Sequence, residues 1–242
     1  MAINTPDAVT YDALSVDTPG TTHPFAHTVS AGTTLLVVAV WSQANEVPGS
    51  NGVSWNTSES LTLVDRLDGG SSGSDDVEVS VFAIVSPTAT TANIVVDTGS
   101  VINNASAYAA INITGSVTTS VAAAIQLLSE SSDLVPENTT SIHASGGDAG
   151  NGLFFIGGGI GDDMIPASND AGFTEILEDN TGGGAGTPAD LSAYIAELLD
   201  GAPSAITVTW AVTDEHVGGL FEIVAAAASV DTSITVPTGP WR

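Results

Sequence analysis

Thr33-Thr34-Leu35-Leu36-Val37-Val38-Ala39-Val40-Trp41 is the stretch that decides the fold class. It is apolar and β-branched along its length and offers no polar face, the pattern of a strand buried on both sides. Shorter stretches around it alternate apolar with polar: Val77 to Phe82, Asn93 to Asp97 and Ala205 to Trp210. Each is bounded by Gly, Pro, Ser or Asp, so each reads as a half-buried strand. Turn-rich residues fill 69–76, 157–163 and 180–188. The chain is therefore expected to be all-β and antiparallel.

The two halves of the chain echo each other. Leu61-Thr62-Leu63-Val64 aligns with Phe173-Thr174-Glu175-Ile176, and Ile94-Val95-Val96 with Ile206-Thr207-Val208, both displaced by 112 residues. Ser116 to Ser120 aligns with Ser229 to Ser233 at 113, and Leu35 to Val38 with Leu153 to Ile156 at 118. Four strand-like segments in one order point to two sequence-related halves. Val121 to Leu128 has helical propensity, but its counterpart Val9 to Leu14 reads as an opening strand, so both are assigned as strands. No proline-rich or charged linker parts the halves, which favours one jelly-roll-like β-sandwich over two small ones. The expected division is an N-terminal arm at 1–8, a sandwich at 9–228 with halves of about 9–115 and 116–228, and a C-terminal tail at 229–242.

The succession His27-Thr28-Val29, Leu35 to Val40, Leu61 to Val64, Val81 to Pro87 and Ile94 to Val96 resembles a known type of module. So does the closing Gly218-Gly219-Leu220-Phe221-Glu222-Ile223-Val224-Ala225. It is the jelly-roll-like β-sandwich of tailed-virus head and tail proteins and of bacterial surface proteins. The resemblance implies a surface-exposed structural setting and carries no catalytic residues across.

Composition narrows the setting. There is no lysine, and two arginines, Arg66 and Arg242, face 28 Asp and Glu for a formal charge of -26. Binding nucleic acid requires Lys and Arg to displace condensed counterions, so neither nucleic acid nor an anionic membrane is an expected partner. Such an exterior suits concentrated salt, where screening shortens self-repulsion to a few ångströms. Without cysteine, no disulfide or thiolate site forms. No apolar run reaches the roughly 20 residues of a membrane span, and the first residues lack the pattern of a cleaved leader. Together with the resemblance, this points to a virion surface protein of a halophilic, haloarchaeal virus: a capsid decoration, turret or tail component.

Chemical motifs are sparse. Gly69-Gly70-Ser71-Ser72-Gly73 matches the nucleophile-elbow spacing but leads into a strand instead of a helix, so it is read as a hairpin loop. His23 and His27 would share a strand face roughly 13 Å apart, too far to hold one ion. The glycine runs at 157–161 and 182–186 lack phosphate-loop spacing and are read as long loops at one end of the sandwich. Asp162 and Asp163 are the best candidates for a Ca²⁺ or Mg²⁺ site, in a glycine-flanked loop. Asn56, Asn104, Asn112 and Asn138 occupy glycosylation sequons. Pro240, Trp241 and Arg242 form an apolar, proline-stiffened end whose residue types favour an interface. The expectation is a non-enzymatic virion protein at the particle surface, in a symmetric homo-oligomer with other virion proteins. The alternative is an extracellular module binding a host-surface glycan through loop acids and Trp41 or Trp55.

Overall fold

The computed structural model describes residues 2–4, 9–14, 22–43, 52–68, 77–98, 105–133, 139–143, 147–160, 166–168, 172–180, 191–199, 205–210 and 216–227. The first half runs β1 (Val9–Leu14), β2 (Thr22–Thr28), β3 (Leu35–Gln43), β4 (Val53–Trp55), β5 (Glu59–Ser60), β6 (Thr62–Asp68), β7 (Val77–Val85), β8 (Thr91–Asp97) and β9 (Ser106–Ile113). The second runs α1 (Val121–Ala124), β10 (Ile125–Asp133), β11 (Thr139–His143), β12 (Gly152–Ile160), β13 (Pro166–Ser168), β14 (Thr174–Asn180), β15 (Leu191–Leu198), β16 (Ala205–Trp210) and β17 (His216–Ile223). The protein is an all-β antiparallel sandwich protein, as its alternating strands require.

The sheets show how the halves are built. One five-stranded sheet is ordered β1-β9-β3-β7-β6, and the other β10-β17-β12-β15-β14. Two smaller sheets, β2-β8-β4-β5 and β11-β16-β13, complete the set. With β5 set aside, which has no counterpart among the described residues, the strands taken in chain order within each half correspond position by position, in a jelly-roll-like succession. Each half closes on itself. Phe25, Val38, Trp55, Ile94 and Tyr108 form a core between the first pair of sheets. Phe155, Tyr194, Ile206 and Leu220 do the same in the second.

The two five-stranded sheets then pack face to face over a third and largest core, holding Val37, Trp41, Val79 and Ile111 from one side and Phe154, Ile156, Ile195 and Phe221 from the other. The expectation of one shared sandwich therefore gives way to a stack of two, each half with its own core, because strand patterning alone fits both arrangements. A strand such as β3, apolar on both faces, serves either arrangement, and here it feeds two cores at once. Odd-numbered residues from Leu35 to Trp41 enter the central core, and even-numbered ones enter the core of the first half. The packing among Val37, Ile111, Ile125 and Phe154 leaves no space that admits a water molecule.

Contacts across the central layer are reciprocal. β6 lies against β10 and β1 against β14; β7 meets β12 while β3 meets β15. Exchanging the halves maps each pairing onto its partner, which is the relation of an internal two-fold axis. Corresponding bulges fall at Val64 in β6 and Ile176 in β14, 112 residues apart. Following the ladders outward from these bulges makes Val38 the counterpart of Phe155, an offset of 117. The alignment of Leu35 with Leu153 is therefore one residue out of register. Leu35 faces the central core, whereas Leu153 faces the core of its own half, and a shift of one residue turns a strand over.

Two further sequence expectations are corrected. Val121–Ala124 is a single helical turn and the strand starts at Ile125. Ser120 caps the turn, its Oγ accepting from the Ala123 N–H at 3.2 Å, so this alanine-rich stretch follows its helical propensity. The glycine run Gly157-Gly158-Gly159 is no loop but the middle of β12, paired on both sides. The connection between the halves is pinned where Ser116 pairs with Ala225 and the Ala226 N–H donates to the Gly115 carbonyl at 2.7 Å. Ile3 is buried in the central core, beside Gly152 of the second half.

Candidate functional site

The joint between the halves centres on Trp41. Its ring is fully buried, and its Nε1–H donates to the Gly157 carbonyl at 2.8 Å. A Cβ added at Gly158 would lie 2.4 Å from Trp41 Cδ1 and 2.7 Å from the Ser192 carbonyl oxygen. Added at Gly218, it would lie 2.4 Å from the Phe155 ring. Gly158 of β12 thus opens a notch for Trp41 on the face of the sheet turned to the joint, and Gly218 of β17 one for Phe155 on the face turned to the core of its own half, a use of strand glycine where another group approaches closely. Trp41 sits opposite Val79 and Ala107, and Gly158 opposite Ala193 and Val217, so the two occupy corresponding nodes of their sheets. A knob on one half meets a hole on the other next to the two-fold axis. Two tryptophans there would collide, and two glycines would leave a cavity.

A chain of three polar side chains links the sheets of the first half. Thr10 Oγ1 lies 2.8 Å from His27 Nδ1, and His27 Nε2 lies 3.0 Å from Asn112 Oδ1. Asn112 Nδ2 donates to the Thr28 carbonyl at 2.8 Å. That bond orients the amide so its oxygen faces the imidazole. Nε2 therefore carries the proton, and Nδ1 accepts from the Thr10 hydroxyl. The order hydroxyl, imidazole, amide is that of an activated nucleophile. Its setting argues for a lock instead. His27 and Asn112 are buried, the imidazole meets Trp55 edge-on at 6.0 Å, and the chain ties β1 and β9 of the large sheet to β2 of the small one.

The corresponding node of the second half supports that role. There Glu222 takes the place of Asn112, likewise buried at the end of a strand. Its carboxylate accepts from Gln126 Nε2 at 2.6 Å, the Asp148 N–H at 2.7 Å and Asn151 Nδ2 at 2.9 Å. Burial raises its pKa, but these three donors outweigh burial and hold it below the ordinary value. Truncating His27 or Asn112 to alanine is expected to cost about 1–3 kcal/mol each, by stranding the partner's buried polar atoms. The double variant should cost little more than either single one, and urea unfolding of the three proteins measures this.

For Glu222 the sign follows from the depressed folded pKa. Its contribution is in place above the ordinary carboxylate value of 4.5 and disappears as pH falls through the lower folded value. Glu222→Gln should therefore lower stability at neutral pH and flatten its decline in acid, read from chemical unfolding at a series of pH values.

Other titratable groups are tuned by burial. The His23 imidazole stacks on Tyr108 at 6.1 Å, and burial lowers its pKa despite Asp12. Burial raises the phenol of Tyr11, helped by Asp179 across the joint and by Asp12. Glu178 is raised by burial and then by its hydrogen bond with Glu175. Arg66 Nε sits 3.0 Å from Glu78 Oε1, and Ser80 Oγ donates to the same oxygen at 3.0 Å.

The expected site residues fare unevenly. Asp162, Asp163, Pro240, Trp241 and Arg242 lie outside the described residues, as do residues 69–73, 182–186 and 229–233. Among the described residues no three His, Asp or Glu side chains come together around an ion position. His23 and His27 share one face of β2, as expected, and that face is the buried one. Trp41 and Trp55 are wholly buried, with Trp55 Nε1–H donating to the Thr88 carbonyl at 3.0 Å, so neither can serve as a sugar platform. Asn112 is buried and bonded through both amide atoms, which removes it as a glycan acceptor. Sequence reading missed the Thr10–His27–Asn112 chain; its one visible trace is a histidine on the same face as Phe25 in an alternating strand.

No protein-family model, curated protein or solved structure matches this chain.

Proposed function

We propose that this protein is a non-enzymatic structural component of a virus particle, at its outer surface and within a symmetric assembly of identical copies in high salt. The observation that supports this most directly is the stack of two sandwiches with jelly-roll strand order in one chain. That architecture recurs in capsid domains, a fold-level analogy. Its energetic logic suits a building block: three buried cores in one continuous stack make a rigid unit held by contacts between distant parts of the chain. The lysine-free, acidic exterior supports a salt-bathed setting and argues against nucleic acid as the partner. On this reading the three-residue chain at His27 fastens sheets and performs no reaction.

Light scattering coupled to size exclusion in molar KCl tests the proposal. A closed oligomer of defined stoichiometry is the expected result, with electron microscopy giving its symmetry. A monodisperse monomer at all concentrations, in salt that keeps the protein folded, overturns it.

A further inference from the structure

The first half carries on its outer sheet a feature unconnected with the joint: an open hollow of about 570 Å³. That size lies within the range of ligand sites, roughly 300–1,000 Å³. Two cross-strand rows build it. In one, Val95 of β8 pairs with Ser54 of β4, which pairs with Ser60 of β5. In the other, Thr22 of β2 pairs with Asp97 of β8, whose backbone N–H donates to the Gly52 carbonyl at 2.9 Å. The inward neighbours of these residues, Val53, Trp55, Ile94 and Val96, are packed in the core, which fixes the outward positions. Gly52 is required where the chain enters β4: its φ is +63°, and a Cβ there would lie 3.2 Å from the Phe82 ring.

The lining therefore combines three hydroxyls, one carboxylate and an apolar floor of Val95 and Leu61, all on or beside strands. Strands about 4.8 Å apart set the hydroxyls at intervals that a polyhydroxylated ring can bridge. Hydroxyl and carboxylate groups exchange hydrogen bonds with sugar hydroxyls, and the aliphatic floor meets the C–H face of the ring. An anionic ligand is opposed by Asp97 and by the charge of the whole chain.

We infer that this hollow on the β2-β8-β4-β5 sheet binds a neutral saccharide. With no aromatic ring among the described lining residues, single-site affinity is low. On the proposed particle, repetition of the site raises it through avidity, and this avidity clause alone rests on that proposal.

The test separates the two readings by supplying valency artificially. The full chain, biotinylated and tetramerised on streptavidin, is applied to an array of neutral and acidic glycans in molar salt. Retention on one or more neutral glycans is expected. It should fall to background in Ser54→Trp, which fills the hollow, and in Asp97→Asn combined with Ser60→Ala. Thr91→Trp, on the same sheet beside Thr28, should bind as the parent does, and thermal melts confirm that each variant is folded. No retention on any neutral glycan, retention on acidic glycans alone, or equal retention by Ser54→Trp overturns the inference, whatever the oligomeric state proves to be.

Discussion

Gly158→Val is expected to leave the protein unable to form its native stack at ordinary temperature. The first atom of any side chain at this position would lie 2.4 Å from Trp41 and 2.7 Å from a backbone carbonyl. Even with the ring swung aside, the Ser192 carbonyl stays in place, because it belongs to β15, paired with β12 along its whole length. Overpacking of well-ordered cores costs about 1–3 kcal/mol where neighbours can yield, and here one cannot, so the loss should exceed that range. Trp41→Ala attacks the same contact from the other side. It empties the notch and leaves the Gly157 carbonyl without its indole donor, for an expected cost of about 3–5 kcal/mol. Out of a total stability of about 5–15 kcal/mol, either change is severe. The two should also be coupled. With Trp41 removed, Gly158→Ala loses one of its clashes and retains the other, so a double-mutant cycle should show a coupling of about 0.5–3 kcal/mol. Additive costs in urea unfolding would mean that the ring and the glycine do not share the notch.

The second large effect expected is that of salt. The chain bears a formal charge of -26, and Arg66 is the single arginine among the described residues. Its ion pair with Glu78 neutralises one carboxylate while the rest repel across a compact surface. At about 0.1 M ionic strength the screening length is about 10 Å, long enough for acids on neighbouring strands to interact; at about 1 M it is about 3 Å. The melting temperature should rise steeply between these conditions, and the protein should lose its near-ultraviolet circular dichroism in dilute buffer. The control is Arg66→Gln, which adds one negative charge to the imbalance and frees the buried Glu78 carboxylate from its partner. It should shift the salt requirement upward. A melting temperature independent of KCl would show that repulsion is not what limits this fold.

Legibility in the sequence varied with the length scale of the information. Alternation in β8 and β16 was plain because each has one dry and one wet or differently packed face. By contrast β7, which alternates from Val77 to Phe82 and was expected to be half-buried, is buried on both faces because it lies inside the sheet between two cores. The double-sided apolarity of β3 was equally plain, although it did not reveal that its two faces belong to different cores. The glycines of β12 read as a loop because glycine is weak in strands on local grounds. Only the arrival of Trp41, 117 residues earlier in the chain, makes Gly158 necessary. His27 and Asn112 lie 85 residues apart, and nothing in either local context announces the other. The hollow on the outer sheet is likewise a product of register, since it exists only because Thr22, Ser54, Ser60 and Asp97 fall in adjacent rows.

By itself the sequence determined the all-β class and the acidic, lysine-free composition, because these follow from nearest-neighbour patterning and residue content. The tertiary structure alone decided that the halves close separately and then stack, that Trp41 is a buried knob instead of a binding platform, and which polar groups meet. The physical reason is that strand periodicity says which residues turn inward, whereas what they turn toward depends on register and packing between segments a hundred residues apart.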